Sequence, residues 1–131
     1  MPRQTPPTHR LVRGRRAYVA GQDAEALAAE ALTAEGWALL AQRCRTEAGE
    51  IDLIAEREGL LAFIEVKARP SLAEAAFALG PRQRARLVAA AEAWLAANPG
   101  HGAAGMRFDV MLVAADGTIR RIADAFRIEE S

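Results

Sequence analysis

Asp52, Glu65 and Lys67 are the residues of this 131-residue chain whose types and spacing could do chemistry. Leu60 to Val66 (LLAFIEV) is almost uniformly apolar, the pattern of a strand covered on both faces, and Glu65 interrupts it. Phe63, Glu65 and Lys67 share one face of that strand, and Glu50, Asp52 and Ile54 share one face of the strand before it. A hairpin turning between Glu58 and Gly59 sets Asp52 opposite Glu65 and Glu50 opposite Lys67. A one-residue slip would put Asp52 among Ile64 and its apolar neighbours, which burial disfavours. Directly opposed carboxylates, with Cβ atoms about 5 Å apart, repel unless something neutralises them. A hard divalent cation, Mg²⁺ or Mn²⁺, is one neutraliser, with Lys67 in reach of a phosphate oxygen or a metal-held water. A structural ion-pair network built from Lys67 and nearby arginines is the other. The pairing alone does not choose between them.

Lys67 is the only lysine among 17 basic residues. A compositional bias toward Arg and Ala explains the scarcity, and the one exception points to a place where an ammonium does what a guanidinium cannot. The zero formal charge hides an asymmetry: residues 1–22 carry five arginines and no acid, which leaves a net charge of −5 on the remainder. A basic arm on an acidic body fits a polyanionic partner such as nucleic acid, and equally a solvated tail. The single Cys and two His exclude an internal disulfide and a Cys/His zinc set. No uncharged apolar stretch approaches the ~20 residues of a membrane helix, and no apolar core follows the basic N-terminus. The expected location is the cytoplasm.

These residues need a scaffold. Residues 1–20 read as a flexible basic arm, and residues 21–131 as one domain. Asp23 is a candidate N-cap for a helix over Ala24–Glu35, with Leu27, Ala28, Ala31 and Leu32 as its stripe and Gly36 as its stop. Strands follow at Trp37–Arg43, Glu50–Glu56 and Leu60–Lys67, and residues 70–80 read as a loop with one helical turn. Gly80-Pro81 opens a helix to Ala97 with Leu87, Ala91, Trp94 and Leu95 as its stripe. Arg107–Ala114 and Thr118–Ile122 form a last hairpin through Asp116-Gly117. The order α-β-β-β-α-β-β contains a strand-helix-strand crossover, which implies a parallel pair in a mixed sheet flanked by helices.

Asp52 followed after a hairpin by Glu65-Val66-Lys67 resembles the PD-(D/E)xK motif of restriction-endonuclease-like nucleases, with Ile51 where many of them carry proline. More narrowly, GEIDLI at Gly49–Ile54 with FIEVKAR at Phe63–Arg69 resembles the YraN family, small bacterial proteins grouped with nucleases and Holliday-junction resolvases. Gly21–Glu25, Arg107-Phe108-Asp109 and Ala125-Phe126 extend the match to about residues 13–128. The resemblance implies a restriction-endonuclease-like α/β fold and Mg²⁺- or Mn²⁺-dependent hydrolysis of phosphodiesters. It makes Asp52 and Glu65 the metal-binding acids, Lys67 the catalytic lysine, and Glu25 the acid that related nucleases carry on the first helix. By position alone Glu25 is a first-turn acid that gains from the helix dipole. Relatives tend to have a lysine near the start of the second helix, where this chain has Arg82-Gln83-Arg84.

Two function classes remain at this stage. In one, Asp52, Glu65 and the Val66 carbonyl hold the metal of a nuclease. In the other, the chain is a non-catalytic nucleic-acid-binding module with the same fold; an interaction adaptor is a weaker third. Arg82, Arg84 and Arg86 lie in the first turns of a helix, where the dipole disfavours cations unless a phosphate is present. They are expected to contact the backbone together with Arg15, Arg16 and Arg69, a solvated face pairing with Glu74 being the alternative. Aromatics make up 5% of the chain, too few to indicate base stacking, so DNA read by charge and shape is the expected partner. Resolvase-like relatives imply a homodimer. Cys44, His9 and His101 carry no sign of nucleophile or ligand chemistry.

Overall fold

The computed structural model describes residues 22–71 and 79–126. Arg15, Arg16 and most of the segment read as a loop with one helical turn lie outside the described residues. The elements run α1 (Gln22–Ala34), β1 (Ala38–Thr46), β2 (Gly49–Arg57), β3 (Leu60–Arg69), α2 (Pro81–Ala97), β4 (Gly105–Ala114) and β5 (Ile119–Phe126), the order expected from the sequence.

Asp23 lies inside the first turn of α1 instead of capping it, a place where a carboxylate is equally favoured by the dipole. The helix ends in a Schellman motif: Gly36, at φ 92°, donates to Thr33 O at 3.0 Å, and Trp37 N–H donates to Leu32 O at 3.1 Å. That closure swings the chain into β1. The turn between β2 and β3 has φ 53° at Glu58 and 84° at Gly59, the type I′ geometry that matches strand twist. It fixes the register Leu53↔Ile64 to Arg57↔Leu60, the pairing expected from facial burial.

The strands form one sheet in the order β1-β2-β3-β4-β5. Only β3 and β4 run parallel, paired from Leu60↔Gly105 to Arg69↔Ala114, and α2 is their crossover. Each helix covers one face. On the α1 face Ala28, Ala29, Leu32 and Trp37 pack on Leu53, Ala55, Ala62, Ile64 and Met111. On the α2 face Leu87, Ala90, Ala91 and Trp94 pack on Ile51, Ile54, Leu61, Phe63 and Phe108. Phe63 lies edge-on to Trp94, with ring centroids 5.9 Å apart. Ala90 is buried in the stripe of α2 where Leu95 was expected, and Leu95 packs partly buried against the same cluster.

Strict alternation fails at one place in β2. Ile51 and Ile54 both face α2 while Leu53 faces α1, so Glu50, Asp52 and Ile54 do not form the single face expected. A left-handed residue stands across from this place on the neighbouring strand. The β1–β2 register places Arg43 opposite Asp52, between Gln42↔Leu53 and Cys44↔Ile51, and Arg43 has φ 50°. β1 also runs three residues further than expected, and its register on β2 shifts between Leu39 and Ala41. The other edge strand is kinked too, at Asp124 (φ 54°) and a register shift between Phe108 and Val110. Neither edge therefore offers a flat template to another strand.

Asp109 is the one fully buried acid among the described residues. Arg121 Nη2 lies 3.0 Å from its Oδ2, Arg107 Nη2 donates to Oδ2 at 3.1 Å, and Asp124 N–H donates to Oδ1 at 2.8 Å. The guanidiniums of Arg57, Arg107 and Arg121 lie 4.9, 5.2 and 4.9 Å from the Trp37 ring centroid. This cluster fastens β5 and the start of β1 to the sheet. At the same end Glu56 accepts from Gly102 N–H at 2.7 Å and lies 2.8 Å from His101 Nδ1, which accounts for that histidine structurally. No helix among the described residues is long and apolar enough to cross a membrane.

Candidate metal and phosphate site

At the end of the sheet away from the Glu58-Gly59 turn, β2 and β3 part. Their paired ladder stops at Leu53↔Ile64. One step further the Val66 N–H donates to Asp52 Oδ2 at 2.8 Å, so the carboxylate takes the place of a strand partner. In an extended strand the carbonyl of a residue points to the same side as its N–H, which turns the Val66 carbonyl toward Asp52. Lys67 Nζ lies 3.4 Å from Glu65 Oε2, its side chain only 12% exposed. Glu50 pairs with Arg45 of β1 and lines the same recess as the acids, so the expected opposition to Lys67 is not its main setting.

The recess is a cavity of about 300 Å³ lined by Gly49, Glu50, Asp52 and Glu65 from the strands and by Gln83, Arg86 and Leu87 from α2. Gly49 makes this packing possible. A Cβ there would stand 3.0 Å from Arg86 Cγ, so a larger residue would push the arginine off the wall.

Glu25 enters from α1, on the other side of Asp52. Its Oε1 is 3.7 Å from Arg43 Nε. Three carboxyls here bind protons more readily than usual. Burial raises Glu65, and the charge of Asp52 adds to it against the pull of Lys67 and Arg86. Burial likewise raises Asp52, opposed by the Val66 N–H and reinforced by Glu50. Glu25 is raised by burial and then by Asp52, with Arg43 opposing. The site is short of positive charge, and its donors are hard oxygens that suit a divalent cation. Among the described residues no three His, Cys, Asp or Glu side chains are placed to hold a metal together. An ion here would rest on two carboxylates, main chain and water, a donor set that fits Mg²⁺, which keeps several waters.

The three helix arginines do different things. Arg86 faces the acids. Arg84 is half-buried, donates from Nη1 to Leu79 O at 3.0 Å and lies 6.0 Å from the Phe126 ring centroid. Arg82 is exposed on the first turn, and Arg69 donates from Nη1 to Ala68 O at 2.7 Å at the end of β3. Arg84→Gln should therefore lower thermal stability and leave duplex affinity unchanged. Arg86→Gln should do the reverse, reducing the salt dependence of duplex binding by about 0.9 in log–log slope. Equal slopes in both variants would remove Arg86 from the phosphate site. Sequence reasoning missed Arg43 and Gln83. A longer β1 would have shown the first opposite Asp52, and helical spacing sets the second on the Arg86 face.

Comparison with known proteins places the chain among bacterial relatives. The profile of the uncharacterised protein family UPF0102 matches residues 24–113. A UPF0102 protein of Granulibacter bethesdensis is 56% identical over 121 residues, covering 92% of this chain and 77% of the relative. One from Bradyrhizobium sp. is 52% identical over 84% of this chain and 78% of its own length. One from Rhodopseudomonas palustris is 48% identical over 84% and 85%. The matched span takes in Glu25, the Asp52–Lys67 hairpin, α2 and β4, and the chain belongs to the uncharacterised protein family UPF0102.

Proposed function

We propose that this chain is a divalent-metal-dependent nuclease acting on DNA through its backbone and shape. One observation carries the reading: two half-buried, proton-hungry carboxylates, Asp52 and Glu65, open on one cavity whose opposite wall is Arg86. A purely structural network would match every acid with a fixed cation, as at Asp109. Here Lys67 pairs with Glu65, while Asp52 is bonded to the Val66 N–H and stands near Glu50.

Asp52, Glu65 and the Val66 carbonyl would hold the cation. When bound, Mg²⁺ or Mn²⁺ supplies an acidified water and draws charge from a phosphate oxygen. Lys67, fixed against Glu65, orients the attacking water and meets the charge that develops on the phosphorus oxygens. Arg86 grips a backbone phosphate from the helix side, and Glu25 closes the acid set from α1.

Millimolar Mn²⁺ should raise the melting temperature of the wild type, by about 2.7 kcal/mol of stability at 100 times the dissociation constant. Asp52→Asn should abolish that shift. An indifferent wild type would count against the site. In EDTA the pH dependence has a definite sign. Glu65 binds its proton more tightly folded than unfolded, so it stabilises the fold at low pH, and this contribution is lost as pH rises from the ordinary value of 4.5 through the raised one. Glu65→Gln should therefore melt higher than wild type at neutral pH, with the gap closing toward pH 4.5. A Gln variant that melts lower at neutral pH would mean that Glu65 is already neutralised. Nicking of plasmid and branched DNA in Mn²⁺ decides catalysis. Binding without cleavage would leave the non-catalytic module.

A further inference from the structure

We propose that Arg43 is a second phosphate-holding residue of this site, parked on Glu25 until the backbone of a nucleic acid takes its guanidinium. The inference rests on the nucleic-acid reading above. It starts from an outlier: Arg43 bears a Cβ yet has φ 50°, in the middle of an edge strand, between the pairs Gln42↔Leu53 and Cys44↔Ile51 that flank Asp52. That conformation is unfavourable for an arginine and is held only where the surroundings enforce it.

The ion pair it makes does not repay that strain. Arg43 Nε is 3.7 Å from Glu25 Oε1, near the limit of an ion pair, and the arginine side chain is 49% exposed against 16% for the glutamate. Half-solvated pairs of this kind contribute little. A guanidinium has five N–H donors in a fork that matches phosphate, so one loose contact leaves most of its capacity for a ligand.

Charge gives the position its purpose. Glu25, Glu50, Asp52 and Glu65 gather at one end of the sheet, and a polyanion approaching them is repelled. Arg86 offsets this from the α2 side. Arg43 offsets it from the α1 side, where Glu25 stands. The two arginines bracket Asp52 from opposite faces of the sheet, and a strand drawn across the site meets a cation before and after the acids. A regular β1 would pair Arg43 flatly with Asp52; the left-handed turn instead brings its guanidinium beside Glu25.

The test is duplex DNA binding by fluorescence anisotropy in EDTA over a range of salt. Arg43→Gly keeps the backbone conformation and removes the cation, and Arg43→Asn, whose side chain also tolerates the left-handed region, controls for glycine flexibility. Both should remain folded and bind duplex more weakly, with the log–log salt slope reduced by about 0.9. Glu25→Gln should release the guanidinium and tighten duplex binding, and Glu25→Gln combined with Arg43→Gly should not. Folded Arg43 variants with the wild-type slope would overturn the proposal and leave the nuclease reading standing. A wild type that binds no duplex at all would overturn both. A reduced slope with no Mn²⁺-dependent nicking by the wild type would keep Arg43 and discard catalysis alone.

Discussion

Asp109→Ala should cost about 3–5 kcal/mol of stability, the largest loss expected from any single substitution away from the core aromatics. Asp109 is fully buried and engages Arg107, Arg121 and the Asp124 N–H at 2.8–3.1 Å. Removing it leaves Arg107, 22% exposed, without its carboxylate and Arg121, 18% exposed, with only Glu35 Oε1 at 2.8 Å, both guanidiniums packed on Trp37. The cost is mainly that of leaving the half-buried Arg107 uncompensated, so it exceeds anything a surface pair supplies. The Asp124 N–H loses its acceptor as well, and the β5 kink at φ 54° loses what holds it. For a domain of this size the melting temperature should fall by roughly 10–20 °C. The check is thermal unfolding of Asp109→Ala and Arg121→Met, singly and together. The double variant should recover part of the loss, because it removes one of the two cations that faced Asp109. Independent losses that simply add would show that the charges are not coupled.

Asp109 also shows where sequence reading stops. An acid interrupting an apolar strand was the signal at Glu65 in LLAFIEV, and the same signal stands at Asp109 in RFDVMLVA. One acid is enclosed by two guanidiniums, and the other stands between Lys67 and the Asp52 carboxylate. The difference comes from which residues tertiary packing brings alongside, and periodicity is silent on that. The β2–β3 register was legible because facial burial and a type I′ turn both depend on local sequence. The crossover and its parallel pair followed from element order. The face change at Ile51 was not legible, since strict alternation leaves no sign of it in the local sequence. The roles of Arg84 and Arg86 were within reach of geometry: residues two apart on a helix point to different sides, so both could not face one cavity. The same spacing puts Gln83 and Arg86 on one face.

Lys67→Arg should preserve folding, net charge and duplex binding while removing metal-dependent cleavage. Lys67 is the only lysine in the chain, so every other cationic position is served by arginine. Its ammonium lies 3.4 Å from Glu65 Oε2 with the side chain 12% exposed, next to the carboxylate that would hold the cation. A compact point charge at that spot can orient a water or meet charge developing on a phosphate. A planar guanidinium is larger, spreads its charge and prefers bidentate contact with Glu65, which would draw the carboxylate away from a metal. General positioning and electrostatic effects of this type are worth about 10²–10³ in rate when a single donor is lost. The structural alternative forecasts the opposite: a lysine that only neutralises Glu65 tolerates arginine, with an effect of at most ~1 kcal/mol on stability. Matched assays on wild type and Lys67→Arg separate the two, with anisotropy for duplex binding, plasmid nicking in Mn²⁺ for turnover and thermal unfolding with and without Mn²⁺ for the metal site. Loss of nicking with unchanged binding assigns the ammonium to the reaction. Nicking by the arginine variant at the wild-type rate would reduce Lys67 to a counter-ion, and the lysine would then reflect composition alone.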